Sequence, residues 1–245
     1  IKQIYKINKT NSVTSFSEYV ENPAKVGNTF AHIANEKNDN ELLPAYLDSQ
    51  EQYKKQFISG YIWSRYHLSG LNWIDSLNPG TWSTEQKYTL LFNVPFEKEI
   101  WDKADELLSE NIGEYWKNIN VNPFPTQSSL LPAIESLLQY GRSRLALDCI
   151  YAHYFSKKEF YKEQAIKALI AGTSSDDEPV GAMDAHHVTE IIKLLQDDPE
   201  INEDDLFKIE WAYLPLLNRH SNAEPKLLEK HLSQKPELFI EAIQL

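Results

Sequence analysis

The sequence predicts an all-α fold: an α-α superhelix of helical hairpins preceded by an irregular, Trp-rich helical bundle. Three observations carry this. Apolar residues recur at spacings of three and four along most of the chain, which is the helical period. Glycine is scarce, at 8 of 245 residues, so the many tight turns of an all-β sandwich would be hard to build. The breaks between periodic stretches carry helix-capping and helix-stopping residues.

Residues 1 to 13 are Lys/Asn-rich and read as a loop or fraying lead-in. Helical patterns dominate from Ser15. Over Gln50–His67 the apolar set Tyr53, Phe57, Ile58, Tyr61, Ile62 and Tyr66 predicts an amphipathic helix that Ser69-Gly70 breaks. A short helix over Leu71–Leu77 ends at the turn Asn78-Pro79-Gly80. Ser83 and Gln86 are spaced as a capping box, predicting a helix to about Asn93 that Pro95 ends. Phe96–Leu108 reads as another helix, with Ile100, Trp101, Ala104 and Leu107-Leu108 on one face, and Ile112–Ile119 as a shorter one.

Asn122-Pro123-Phe124-Pro125 is the clearest internal break, because proline restricts the residue before it. It divides a Trp-rich bundle, residues 14–122, from a hairpin stack, residues 126–245. In the stack Gln127–Tyr140 pairs with Ser143–Phe155 across Gly141. Lys158–Ala171 pairs with Asp184–Leu195, and Asp204–Leu217 with Pro225–Leu232. Gly172 to Pro179 reads as an acidic polar loop. Asn202-Glu203-Asp204-Asp205 reads as a helix start, where carboxylates meet the positive end of the dipole. Pro236–Leu245 forms an amphipathic helix with no stop signal and the chain opens on Ile1, so a piece of a larger polypeptide is expected.

The net charge of −12 argues against a nucleic-acid surface, which needs clustered Lys and Arg, and disfavours anionic membranes. A basic protein partner would be attracted at long range. The single cysteine, Cys149, excludes an intrachain disulfide and a multi-Cys zinc site. With no signal peptide and no apolar run of membrane-spanning length, the expected location is cytoplasmic.

Residues Leu131 to Asp148 resemble a tetratricopeptide-type hairpin. In that family a first helix ends near a glycine turn, and a second carries Ala and Leu at close-packing positions. Ala133, Leu137, Gly141, Ala146 and Leu147 fit that style. The full family signature, with its Trp, paired Leu-Gly and closing Pro, is absent, and the other hairpins are spaced more like HEAT repeats. The region Gly60–Trp116, with Trp63, Trp73 and Trp116, differs in character. Together with Leu214-Pro215-Leu216-Leu217 and Pro225-Lys226-Leu227-Leu228, it is similar to the helical C-terminal arms of very large bacterial proteins. Some of those carry a signal-transducing ATPase used in phage defence. The resemblance implies a sensor or scaffold arm. No phosphate loop, Gly-x-x-x-x-Gly-Lys-Ser/Thr, occurs in the chain.

Few residues are candidates for chemistry. His186 and Glu190 lie four apart, on one helix face, with Asp184 at the expected N-cap. Two ligands from one helix are not a metal site without a third, so no metal is expected. Asp102, Asp105 and Glu106 share a helix whose apolar face already accounts for it. Cys149 sits mid-helix among apolar neighbours, which favours an inert thiol, although His153 is at the helical offset of four. Most of the six tryptophans read as core, and Trp82, in a turn, is the candidate for exposure. Arg142 and Arg144 lie at a hairpin turn, where solenoids present binding residues. The expectation is a protein-interaction scaffold or sensor arm with a protein partner, no cofactor and no catalysis of its own. The alternative is a helical-toroid hydrolase with a carboxylate or His/Glu centre.

Overall fold

Helices make up all the regular secondary structure among the residues described by the computed structural model, 1–126, 128–173, 182–220 and 224–234; none of these residues is in a strand. The chain divides into two compact units, Ile1–Asn120 and Val121–Leu245.

The first unit opens on α1 (Lys2–Glu18), which corrects the reading of residues 1–13 as a loop. Its sequence is only weakly amphipathic, and tertiary contacts hold it. Val13 and Ser17 are fully buried. The Tyr5 ring meets Phe30 at 5.5 Å, Asn38 Nδ2 donates to Thr10 Oγ1 at 3.0 Å, and Thr10 donates to Glu41 at 2.7 Å. The helix is interrupted at Asn8 and Lys9, and Lys9 takes φ 51°, a conformation that normally falls to glycine.

Three helices follow: α2 (Pro23–Ala31), α3 (Glu36–Leu47) and α4 (Gln52–Ser69). Asn22 caps α2, with Pro23 in its first turn. Asn35 and Asn38 form a capping box on α3. α2 and α4 make the closest crossing in the unit, and two mid-helix glycines permit it. A Cβ on Gly27 would stand 1.9 Å from the Phe57 carbonyl oxygen, and one on Gly60 2.0 Å from that of Ala24. Around this crossing lie the fully buried rings of Phe30, Phe57 and Tyr61. Asp39, also buried, accepts from Tyr61 Oη at 2.6 Å and from Arg65 Nε and Nη2 at 3.0 and 2.6 Å. Burial, and then the neighbouring Asp39 carboxylate, push the Tyr61 phenol well above its ordinary range.

Gly70, at φ 61°, separates α4 from α5 (Leu71–Ser76). After a single 3₁₀ turn at Pro79–Thr81 come α6 (Thr84–Phe92), α7 (Lys98–Leu108) and α8 (Ile112–Asn118). The capping box on α6 is complete. Gln86 N donates to Ser83 Oγ at 3.2 Å, and Ser83 N donates to Gln86 Oε1 at 3.0 Å. Ile100, Trp101, Ala104 and Leu108 form the buried stripe of α7. Trp73 Nε1, Trp101 Nε1 and Tyr115 Oη are buried without a hydrogen-bond partner among the described residues.

The second unit contains α9 (Leu131–Gln139), α10 (Ser143–Lys157), α11 (Lys162–Gly172), α12 (Ala182–Gln196), α13 (Glu203–Ala212), α14 (Leu214–His220) and α15 (Lys226–Gln234). Gly141, at φ 79°, ends α9 in a Schellman motif. Its N–H bonds Leu138 O at 3.2 Å, and that of Arg142 bonds Leu137 O at 2.8 Å. α10 is central, packing on α9, α11 and α12. The main neighbour of α11 is thus α10, where the sequence reading paired it with α12. Farther along, α11 packs on α13 and α12 on α14. The single helix expected over 204–217 is two helices, divided at Tyr213. Proline is tolerated in a first helical turn but not in a helix interior, so Pro215 starts α14 rather than extending α13. Glu210, fully buried, spans three helices: it accepts from Gln196 Nε2 at 2.7 Å and from the first-turn N–H of Leu228 at 2.8 Å. The acidic loop from residue 174 onward and the helix expected over 236–245 lie outside the described residues. Among those described, no helix is long and apolar enough to cross a membrane.

Candidate functional site

On α10, Asp148, Tyr151 and Phe155 are spaced by three and four residues and therefore share a face. Against them, α12 brings His186 and His187. Ala185, Val188, Ile192 and Leu195 define the buried stripe of α12. His187 lies on the edge of that stripe and is buried, whereas His186 lies outside it and is exposed.

His187 Nδ1 donates to Asp148 Oδ1 at 2.6 Å. A carboxylate only accepts, so the bond places a proton on Nδ1 and fixes the ring's orientation. The Tyr151 ring stacks on His187 with centroids 4.1 Å apart and planes at 21°. Tyr151 Oη reaches His186 Nε2 at 3.3 Å. Phe155 continues the stack beyond Tyr151 at 6.3 Å and 24°. Phe124 stands 6.4 Å from His187, its plane tilted by 52°. Its position comes from the Pro123-Phe124-Pro125 break. Thr126 N bonds Pro123 O at 3.2 Å and closes a turn that leaves Phe124 at its tip. Phe155 is 63% exposed and Phe124 55%. The result is a ladder of rings, Phe155–Tyr151–His187–Phe124, held at its base by the His187–Asp148 hydrogen bond, with its two terminal rings exposed.

Neither protein-family models, nor curated proteins, nor solved structures give a match to this chain.

The residues singled out from the sequence fall differently. His186 bonds Tyr151, and Glu190 is taken up by Lys193 at 2.6 Å, so these two do not converge. No group of three or more His, Cys, Asp or Glu suited to a metal occurs among the described residues. α12 starts at Ala182, so Asp184 lies inside its first turn rather than at its cap. Trp82 is half-buried, its backbone N–H closing the turn at Pro79; Trp63, on α4, is the exposed tryptophan, its ring 4.2 Å from that of His67 and tilted 39° to it. Arg142 and Arg144 are both half-buried. Arg142 supplies backbone to the Schellman motif, and the charge of Arg144 reaches Tyr213. Asp102 pairs with Lys98, and Glu106 with Lys103. Burial, and then Asp102, raise the Asp105 carboxyl. Burial pushes the Cys149 thiol far up, and His153 instead meets Glu159 at 3.3 Å and stacks on Tyr161. Tyr151, Phe155 and Phe124 were not singled out. The spacing of Asp148, Tyr151 and Phe155 was the available signal.

Proposed function

We propose that this chain is a protein-interaction scaffold, or sensor arm, of a larger bacterial protein, with its hairpins wound into an α-α superhelix and no catalysis of its own. The observation that carries this reading is the ring ladder. It gathers rings from three chain segments and leaves two of them, Phe124 and Phe155, exposed, and clustered aromatic residues are common anchors of a protein interface. Packing between elements two apart, α11 on α13 and α12 on α14, supports a stacked-hairpin architecture. The tetratricopeptide-like Leu131–Asp148 hairpin contributes α10, one wall of the ladder.

The alternative hydrolase draws on Asp148–His187, a carboxylate–imidazole pair joined at 2.6 Å. It needs a second acid or base converging on that pair, and the Glu190 it would use is paired with Lys193. The test is affinity capture from a bacterial host, with and without phage infection. Wild type and a Phe124→Ala/Phe155→Ala double variant serve as parallel baits, and binding is then reconstituted with the purified partner. The proposal expects a partner that wild type retains and the double variant loses. It fails if both baits retain the same proteins, or if neither retains any.

A further inference from the structure

We infer that the ring ladder docks a basic segment, specifically an arginine-bearing peptide of the partner protein. This rests on the interaction reading above and names the chemistry of its partner.

Four observations converge. First, the ladder offers two exposed ring faces, Phe155 and Phe124; Phe155 lies within 24° of parallel to the half-buried Tyr151, which lies within 21° of the buried His187. A planar guanidinium stacks on such faces, and a cation is attracted to their negative centres. Second, the molecule already places a cation there. Lys158 Nζ lies 5.4 Å from the centroid of Phe155 and 5.3 Å from that of Tyr154. Third, two carboxylates belong to α10 or follow it: Asp148, bonded to His187 at the base of the ladder, and Glu159, 73% exposed, which meets His153 and is the chain neighbour of Lys158. Fourth, residues 121–245 carry 12 Lys and Arg against 20 Asp and Glu, so the unit bearing the ladder attracts a basic partner and repels an acidic one.

The cationic side chain is expected to lie flat on Phe155 or Phe124, with its charge toward Asp148 or Glu159. Long-range attraction to an acidic protein is unspecific, so the test removes rings and leaves every charge in place. The probe is a fluorescein-labelled peptide of alternating Arg and Gly, with Lys/Gly and Glu/Gly counterparts. Binding to the full chain is read by fluorescence anisotropy at physiological salt. Phe155→Ala and Phe124→Ala change exposed side chains and are compared with Tyr19→Ala, an exposed ring of the first unit. Tryptophan fluorescence and circular dichroism verify that each variant is folded.

The inference expects binding of the Arg peptide above the Lys peptide, with none of the Glu peptide. Each ladder variant should weaken the Arg peptide about two- to fivefold, the worth of one exposed cation–π contact, and Tyr19→Ala should leave it unchanged. It is overturned if the ladder variants bind as wild type does, if Tyr19→Ala weakens binding equally, or if the Glu peptide binds as well as the Arg peptide. The two readings separate cleanly. A captured partner lost in the double variant, with no binding of the Arg peptide, leaves the interaction reading standing and removes the cationic specificity. An Arg peptide bound at the ladder, with no captured partner, does the reverse.

Discussion

Gly27→Ala is expected to destabilise the first unit even though alanine is the better helix former. In a helix interior, alanine is favoured over glycine by about 1 kcal/mol. Here, however, the new Cβ would stand 1.9 Å from the Phe57 carbonyl oxygen, and at Gly60 it would stand 2.0 Å from that of Ala24. Real contacts of this kind do not fall below 3.0 Å, so α2 and α4 must part by about 1 Å. The obstacle in each case is backbone, which cannot swing aside. Parting loosens the packing of Phe30, Phe57 and Tyr61, and overpacking a core of this kind costs about 3 kcal/mol. The net loss is about 2 kcal/mol, or roughly 8 °C in Tm for a unit of this size. Tryptophan fluorescence is a suitable readout, because five of the six tryptophans, all but Trp211, lie in the first unit. Gly80→Ala is the control. Nothing lies within 4 Å of its Cβ, so the change is expected to be neutral or stabilising by about 0.5 kcal/mol. The reasoning is refuted if Gly27→Ala and Gly60→Ala melt at or above the wild-type temperature.

Tyr115 Oη is buried with no partner, so Tyr115→Phe should be neutral or raise stability by up to about 1 kcal/mol, whereas Tyr61→Phe, which removes a bond to Asp39, should cost about 2 kcal/mol; urea midpoints compare them. Arg65→Met leaves the buried Asp39 carboxylate without its cation and should cost about 3–5 kcal/mol, and combining it with Asp39→Ala should cost less than the sum of the two. Burial pushes the Tyr213 phenol up to about 12, against the opposing pull of Arg144. The unfolded phenol ionises near pH 10, so the folded state gains from keeping it neutral. That gain is complete below pH 10 and is lost as pH rises through about 12. Urea midpoints measured across this range should fall less steeply in Tyr213→Phe than in wild type, and parallel slopes would contradict the assignment.

Much of the helical order is legible locally. The Ser83–Gln86 capping box, the stripe of α7 and the Gly141 turn are set by neighbours within one turn of the chain, and each is found where its spacing placed it. What escaped depends on partners far along the sequence. Residues 1–13 show little helical pattern and form α1 because Phe30, Asn38 and Glu41 receive them. Gly27 and Gly60 read as weak points of a helix until the opposing backbone is known. The same holds for the candidate site. Spacing of four joins His186 to Glu190, yet the bond that organises the site joins His187 to Asp148, 39 residues away. Trp82 drew attention as a turn residue, but the turn folds it half under, whereas Trp63 belongs to a helical pattern and still faces outward.

The most direct test of an interaction surface at the ladder is site-specific photo-crosslinking in cells that express this protein. A benzoylphenylalanine replaces Phe155 in one version and Tyr19 in another, both exposed aromatic positions. The account predicts a discrete crosslink to a second protein from position 155, absent from position 19 and competed away by the Arg/Gly peptide. Identical crosslinks from both positions, or none from position 155, would contradict it.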